Sequence, residues 1–123
     1  MRKRNLRFIT VSLYKQGEYM STTIALDECQ PGLSFELAEA VRDQHLSSRT
    51  SQTYQHWITQ YLAYFDLKSP NSLSEKNVRE FLKHLVKKMS LSRARLNQAR
   101  EALFFLYEKV LKRPLKRKEL EPS

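Results

Sequence analysis

After residue 32 the chain falls into apolar positions spaced three and four apart, which is the repeat of helices that bury one face. Leu33, Leu37, Ala40 and Val41, behind Ser34, predict a short helix that ends near His45. Ser47 or Ser48 can cap a second helix running to about Phe65, with Tyr54, Trp57, Ile58, Tyr61, Leu62 and Phe65 as one stripe. The segment DLKSPNS breaks it, and Ser74 opens a third helix whose apolar set is Val78, Phe81, Leu82, Leu85 and Val86. A fourth runs from about Leu91 or Ser92 to Leu111, turning Leu96, Ala99, Leu103, Leu106, Tyr107 and Val110 inward. Phe105 falls opposite that stripe and is expected under a neighbouring helix. Pro114 stops the fourth helix.

The polar sides of these helices differ. The third carries Lys76, Arg79, Glu80, Lys83 and Lys87, an ordinary charged surface. Residues 48–65 hold a single charged side chain, Arg49, and otherwise present Thr50, Gln52, Thr53, Gln55, His56 and Thr59. Two readings fit an uncharged polar face. It is half-buried against neighbours, or it lies near a polyanion, where carboxylates would repel and small donors can bond phosphates or base edges. The first half of the fourth helix favours the second reading. It gathers Arg93, Arg95 and Arg100 with Asn97 and Gln98 and no acidic residue, whereas solvated faces normally mix both signs.

Charge follows the same trend. The 123 residues carry 22 Lys and Arg against 13 Asp and Glu, a formal net charge of +9. Residues 93–123 account for +5 of this, from nine basic and four acidic side chains, and residues 33–92 for only +2, from eight and six. A positive field of this kind suits nucleic acid or an anionic membrane surface. The length supports one small domain with one core. Pro31-Gly32 sets residues 1–32 apart as an irregular leader, in which Met20 is a second candidate translation start. Residues 1–19 are expected to add little to the fold. Residues 114–123 are expected to form an exposed basic tail or the start of an interdomain linker.

Other functions find little support. Cys29 is the single cysteine, so no intramolecular disulfide can form, and with three scattered His residues it builds no metal-ligand cluster. His45, His56 and His84 lack a partner at catalytic spacing and are expected at the surface or its boundary. Two glycines, Gly17 and Gly32, allow neither a phosphate-cradling loop nor a nucleophile elbow. The N-terminus begins like a signal peptide, but its apolar run from Phe8 to Tyr14 is short and interrupted, and no small-residue cleavage site follows. A soluble, cytoplasmic protein without cofactor, metal or small-molecule substrate is expected.

Ser47-Ser48-Arg49-Thr50, Tyr54 and Trp57-Ile58 resemble the S-Y-R-T-E-x-x-Y-x-x-W-I opening of the core-binding domain of integron-type integrases, a branch of the tyrosine recombinases. The similarity continues through Phe65, Pro70, Leu73, Val78, Phe81-Leu82 and Leu85. It closes on Asn97-Gln98-Ala99 and Ala102 to Tyr107, similar to the family's N-Q-A-L-x-A-L-L-F-L-Y. The resemblance spans about residues 33–113 and implies an all-α, SAM-like four-helix bundle that forms half of a clamp around duplex DNA. It places the second and fourth helices against the major groove and directs the first towards a neighbouring protomer.

With the polar face of the second helix and the arginines of the fourth, which the resemblance sets against DNA, Arg49, Thr50, Gln52, Thr53, His56, Arg93, Arg95, Asn97, Gln98 and Arg100 are the candidate DNA contacts. The arginines would neutralise phosphates; Gln52, Asn97 and Gln98 are candidates for base-edge or further phosphate contact. Ala94-Arg95-Leu96 stands where the family often has S-T-Q, which moves the expectation there from base reading to phosphate contact. The family's catalytic Arg, Lys, His and Tyr belong to a C-terminal domain, so no residue here inherits those roles and the chain is expected to be non-catalytic. Two alternatives stay open: a protein-interaction module that binds or inhibits a full-length recombinase through Leu37, Val41 and His45, and a truncated gene product.

Overall fold

The computed structural model describes residues 14–15, 18–19 and 21–116. The fold is all-α. Five helices, α1 (Thr22–Cys29), α2 (Leu33–Asp43), α3 (Ser48–Tyr64), α4 (Glu75–Lys87) and α5 (Arg93–Phe105), are preceded by a minimal antiparallel ladder. Its strands β1 (Tyr14–Lys15) and β2 (Glu18–Tyr19) pair Tyr14 with Tyr19 and Lys15 with Glu18. The remainder of residues 1–20, with Met20, and the end of the tail, 117–123, lie outside the described residues.

The helices from α2 onward begin close to where the apolar spacing puts them, and α2 and α3 also end there. Ser47 caps α3 by accepting the Thr50 N–H, and Ser92 caps α5 by accepting the Arg95 N–H. At Ser74 and Asn77 a reciprocal capping box opens α4. The core is continuous through all five helices, with Tyr61, Tyr107, Phe81, Ile58 and Leu103 among its fully buried side chains. α3 and α5 make the most extensive helix pair, and α5 buries Ala99 and Ala102, small side chains that let a neighbouring backbone approach.

The leader needs correction. Residues 22–29, read as irregular, form α1, capped by Ser21 and packing Ala25, Leu26 and Cys29 into the core. Burial raises the Cys29 thiol to about 12, so it stays protonated. The Asp27 carboxylate accepts both the N–H and the hydroxyl of Ser34, each at 2.9 Å, which satisfies an open donor in the first turn of α2. Between the two helices Gly32 takes φ 84°, a left-handed conformation in which a side chain would be strained. Pro31-Gly32 is therefore a tight corner inside the domain.

Three further expectations are corrected. Val86 is 47 % exposed, because a residue one step after buried Leu85 is turned about 100° around the helix. The fourth helix does not stay α-helical to Leu111: Leu106–Val110 forms a π-helical turn, closed by the Leu111 N–H on the Leu106 carbonyl at 2.9 Å. The start of the tail is docked. Arg113 donates to the carbonyls of Pro70 (3.2 Å) and Leu73 (2.8 Å), Leu115 is buried, and the Lys116 N–H reaches the Glu75 carboxylate at 3.0 Å. These contacts hold the Pro70–Ser72 turn and the start of α4 against the chain's last described residues.

Inside the bundle the Tyr107 hydroxyl donates to the Pro70 carbonyl at 2.8 Å and so must accept from Tyr61, 2.9 Å away. Burial and this relay push Tyr61 far above the usual phenol range. Both hydroxyls are thus satisfied without water, which allows two large rings at the centre.

Candidate nucleic-acid interface

Every candidate contact lies on α3 or α5. Arg49, Gln52 and His56 are exposed and follow the i, i+3, i+7 spacing of one helix face, while Thr50 and Thr53 are half-buried beside them. On α5, Arg93, Arg95, Asn97 and Gln98 are exposed and Arg100 is half-buried. Each set begins at a serine-capped helix start, at Ser47 and at Ser92.

The uncharged stretch of α3 turns out to have two causes. From Trp57 to Leu62 the helix is buried around its whole circumference by α1, α4 and α5, so Thr59 and Gln60 are uncharged because they are interior. Thr59, 3 % exposed, donates to the Gln55 carbonyl and lies 3.2 Å from the His56 carbonyl; it bonds its own helix rather than a ligand. Gln55 likewise turns inward along the helix, donating to the Ser51 hydroxyl at 3.3 Å. Residues 48–56 are the part whose lack of carboxylates burial does not explain.

The two sets meet at one place. The Arg95 guanidinium lies over the Trp57 indole, 5.4 Å from its centroid, and the His56 ring meets the same indole edge-on at 4.7 Å. Partial burial and then the Arg95 charge lower the His56 pKa below its ordinary value, so the imidazole is neutral at pH 7. Next along the junction Tyr54 packs on Phe105, ring centres 5.2 Å apart, which confirms that Phe105 is covered by a neighbouring helix. Desolvation and nearby Glu101 raise Tyr54, and Glu101 marks where the acid-free part of α5 ends.

The three arginines of α5 differ in restraint. Arg100 donates to the Asn97 side-chain oxygen, so that oxygen already has a partner on its own helix. Arg93 is exposed and, among the described residues, makes no side-chain hydrogen bond or ion pair. Among the described residues Arg95 is held by the indole alone, with its donors open. Trp57 escaped the candidate set because its position on the stripe marks it as core, which it is at 4 % exposure; that its ring also carries an α5 arginine is a tertiary fact. Among the described residues no group of three or more His, Cys, Asp or Glu could hold a metal, and no helix is long and apolar enough to cross a membrane.

Comparison with known proteins agrees with the helical arrangement. Residues 33–117 match the family described as phage integrase, N-terminal SAM-like domain. An integrase/recombinase of Escherichia coli and one of Pseudomonas aeruginosa are each 36 % identical to this chain over 76 residues. That stretch is 62 % of this chain and 23 % of either relative, so the chain spans under a quarter of the length of these curated proteins. With the family match covering α2 to the docked tail, the chain belongs to the family of phage integrase N-terminal SAM-like domains.

Proposed function

We propose that this domain binds duplex DNA through the N-terminal halves of α3 and α5, as the non-catalytic, DNA-holding part of a tyrosine recombinase serving integration and site-specific recombination. The observation that carries the reading is that the exposed, carboxylate-free start of α3 adjoins the arginine-bearing half of α5, where His56 and Arg95 both meet the ring of buried Trp57. Neutralising phosphates releases counterions, so a surface of this composition gains affinity from any duplex and loses it with salt. The neutral donors of Thr50, Gln52 and Gln98 add contacts to phosphate or base edges. One domain alone gives a weak grip, because a clamp gains from two halves engaging at once.

The test is fluorescence anisotropy of a labelled duplex at several salt concentrations. Replacing Arg93, Arg95 and Arg100 together by Ala should weaken binding to all duplexes and reduce the slope of log K against log salt by about 2 to 3. An unchanged slope removes α5 from the interface.

A second reading, contact with a recombinase protomer through α2, is favoured by one side chain. Leu37 is buried in the domain's own core and cannot serve it, but Phe35 on the same helix is 65 % exposed. Under this reading Phe35→Ser lowers the apparent mass of the protein with a recombinase in sedimentation and leaves duplex affinity alone.

A further inference from the structure

We propose that Arg95 is the fixed phosphate anchor of the α3–α5 face and that Trp57 is the residue that positions it. The inference rests on the duplex-DNA reading and adds to it a ranking among side chains that sequence treats as equal.

A guanidinium stacked on an aromatic face keeps its N–H donors in the plane of the stack, pointing past the ring edge, where they match two oxygens of one phosphate. The Arg95 group already lies over such a face before any ligand arrives, its guanidinium carbon 5.4 Å from the indole centre, on a ring that the core holds almost entirely buried. Because Trp57 belongs to α3 and Arg95 to α5, the stack also fixes the arginine relative to the other helix. Arg93 has no such support, and Arg100 first has to be shared with Asn97. An arm already ordered loses less freedom on binding than one that must be immobilised. His56 stands at the edge of the same indole and, being neutral, can donate to a phosphate beside Arg95 without repelling it. Glu101, the nearest acidic residue in sequence on α5, is close enough to Tyr54 to raise its pKa.

Trp57 is the single tryptophan, so its emission reports on the stack directly. The experiment titrates the full chain with unlabelled duplex while following that emission, and measures affinity separately by anisotropy for wild type, Arg95→Ala, Arg95→Lys and Arg93→Ala. Wild-type emission should change on binding. Arg95→Ala should alter the emission of the free protein, abolish the DNA-induced change and weaken binding about tenfold whatever the duplex sequence, against about threefold for Arg93→Ala. Arg95→Lys keeps the charge but not the planar stack and should bind nearly as poorly as the alanine variant. Wild-type affinity in Arg95→Lys, or equal losses from positions 93 and 95, would overturn the anchor while leaving the DNA reading in place. Loss confined to one base step would overturn the phosphate assignment. Failure of wild type to bind at low salt would remove the DNA reading and the anchor together.

Discussion

Among the described residues Arg95 and Arg113 lie over aromatic rings, and they differ in what their nitrogens do. Arg113 sits 4.9 Å from the centre of Tyr107 and donates to the carbonyls of Pro70 and Leu73 and to Asn71. Arg95 sits 5.4 Å from the centre of Trp57 and, among the described residues, donates its side-chain N–H groups to nothing. Stacking locates a guanidinium; the fate of its donors decides whether it holds the fold or awaits a ligand. The Arg113 stack closes the C-terminal end of the domain on the turn before α4, and the Arg95 stack joins the two helices of the proposed DNA-facing surface.

The contrast can be broken most forcefully at Arg113. Arg113→Ala leaves the Leu73 carbonyl without its donor and should cost about 2–3 kcal/mol of unfolding free energy, measured in urea, the size expected of lost hydrogen bonds to a charged group. At temperatures where the variant is folded, duplex affinity should be unchanged. Tyr107→Phe attacks the same end by stranding the buried Tyr61 hydroxyl and should cost about 1–3 kcal/mol. Arg95→Ala should show the reverse pattern: a stability loss of about 0.5–1 kcal/mol, the value of an exposed cation–π contact, with the larger effect on DNA. If Arg95→Ala destabilises as much as Arg113→Ala, both arginines are structural.

The smallest effect concerns His56. Its pKa is lowered by burial first and by Arg95 second, so Arg95→Ala should move it part of the way back towards 6.5, readable by NMR titration of the ring. The sign for stability follows. His56 and His84 both take up protons later in the folded chain than in the unfolded one, so the unfolded state binds more protons and stability falls as pH drops through 6.5 and below. A His56→Gln/His84→Gln variant should flatten that fall.

Much of this architecture was legible in the residue pattern, because α2 to α5 each bury a stripe of large apolar side chains and α3, α4 and α5 each open on a serine cap. α1 was not, since two turns carrying Ala25, Leu26 and Cys29 leave little periodic signal, and Pro31-Gly32 looks like a boundary until Asp27 is seen bonding Ser34 across it. The π-helical turn depends on the packing of Leu106 and Tyr107 in the bundle, which no local propensity encodes. For the site, sequence supplied the helices and the residue types. It could not separate the half of α3 that lacks charge because it is interior, at Thr59 and Gln60, from the half that lacks charge while exposed, at Gln52 and His56. Nor could it rank Arg93, Arg95 and Arg100, whose differences come from Trp57 and Asn97.

The central claim is that duplex DNA meets the α3–α5 face and not the outer face of α4, where Lys76, Arg79, Lys83 and Lys87 offer comparable charge. The most direct measurement is the change in backbone amide NMR shifts as an unlabelled duplex is added to the isotopically labelled protein. Shifts concentrated at residues 49–56 and 93–100, shrinking as salt is raised, are the predicted result. Shifts concentrated at residues 76–87, with α3 and α5 unmoved, would contradict it.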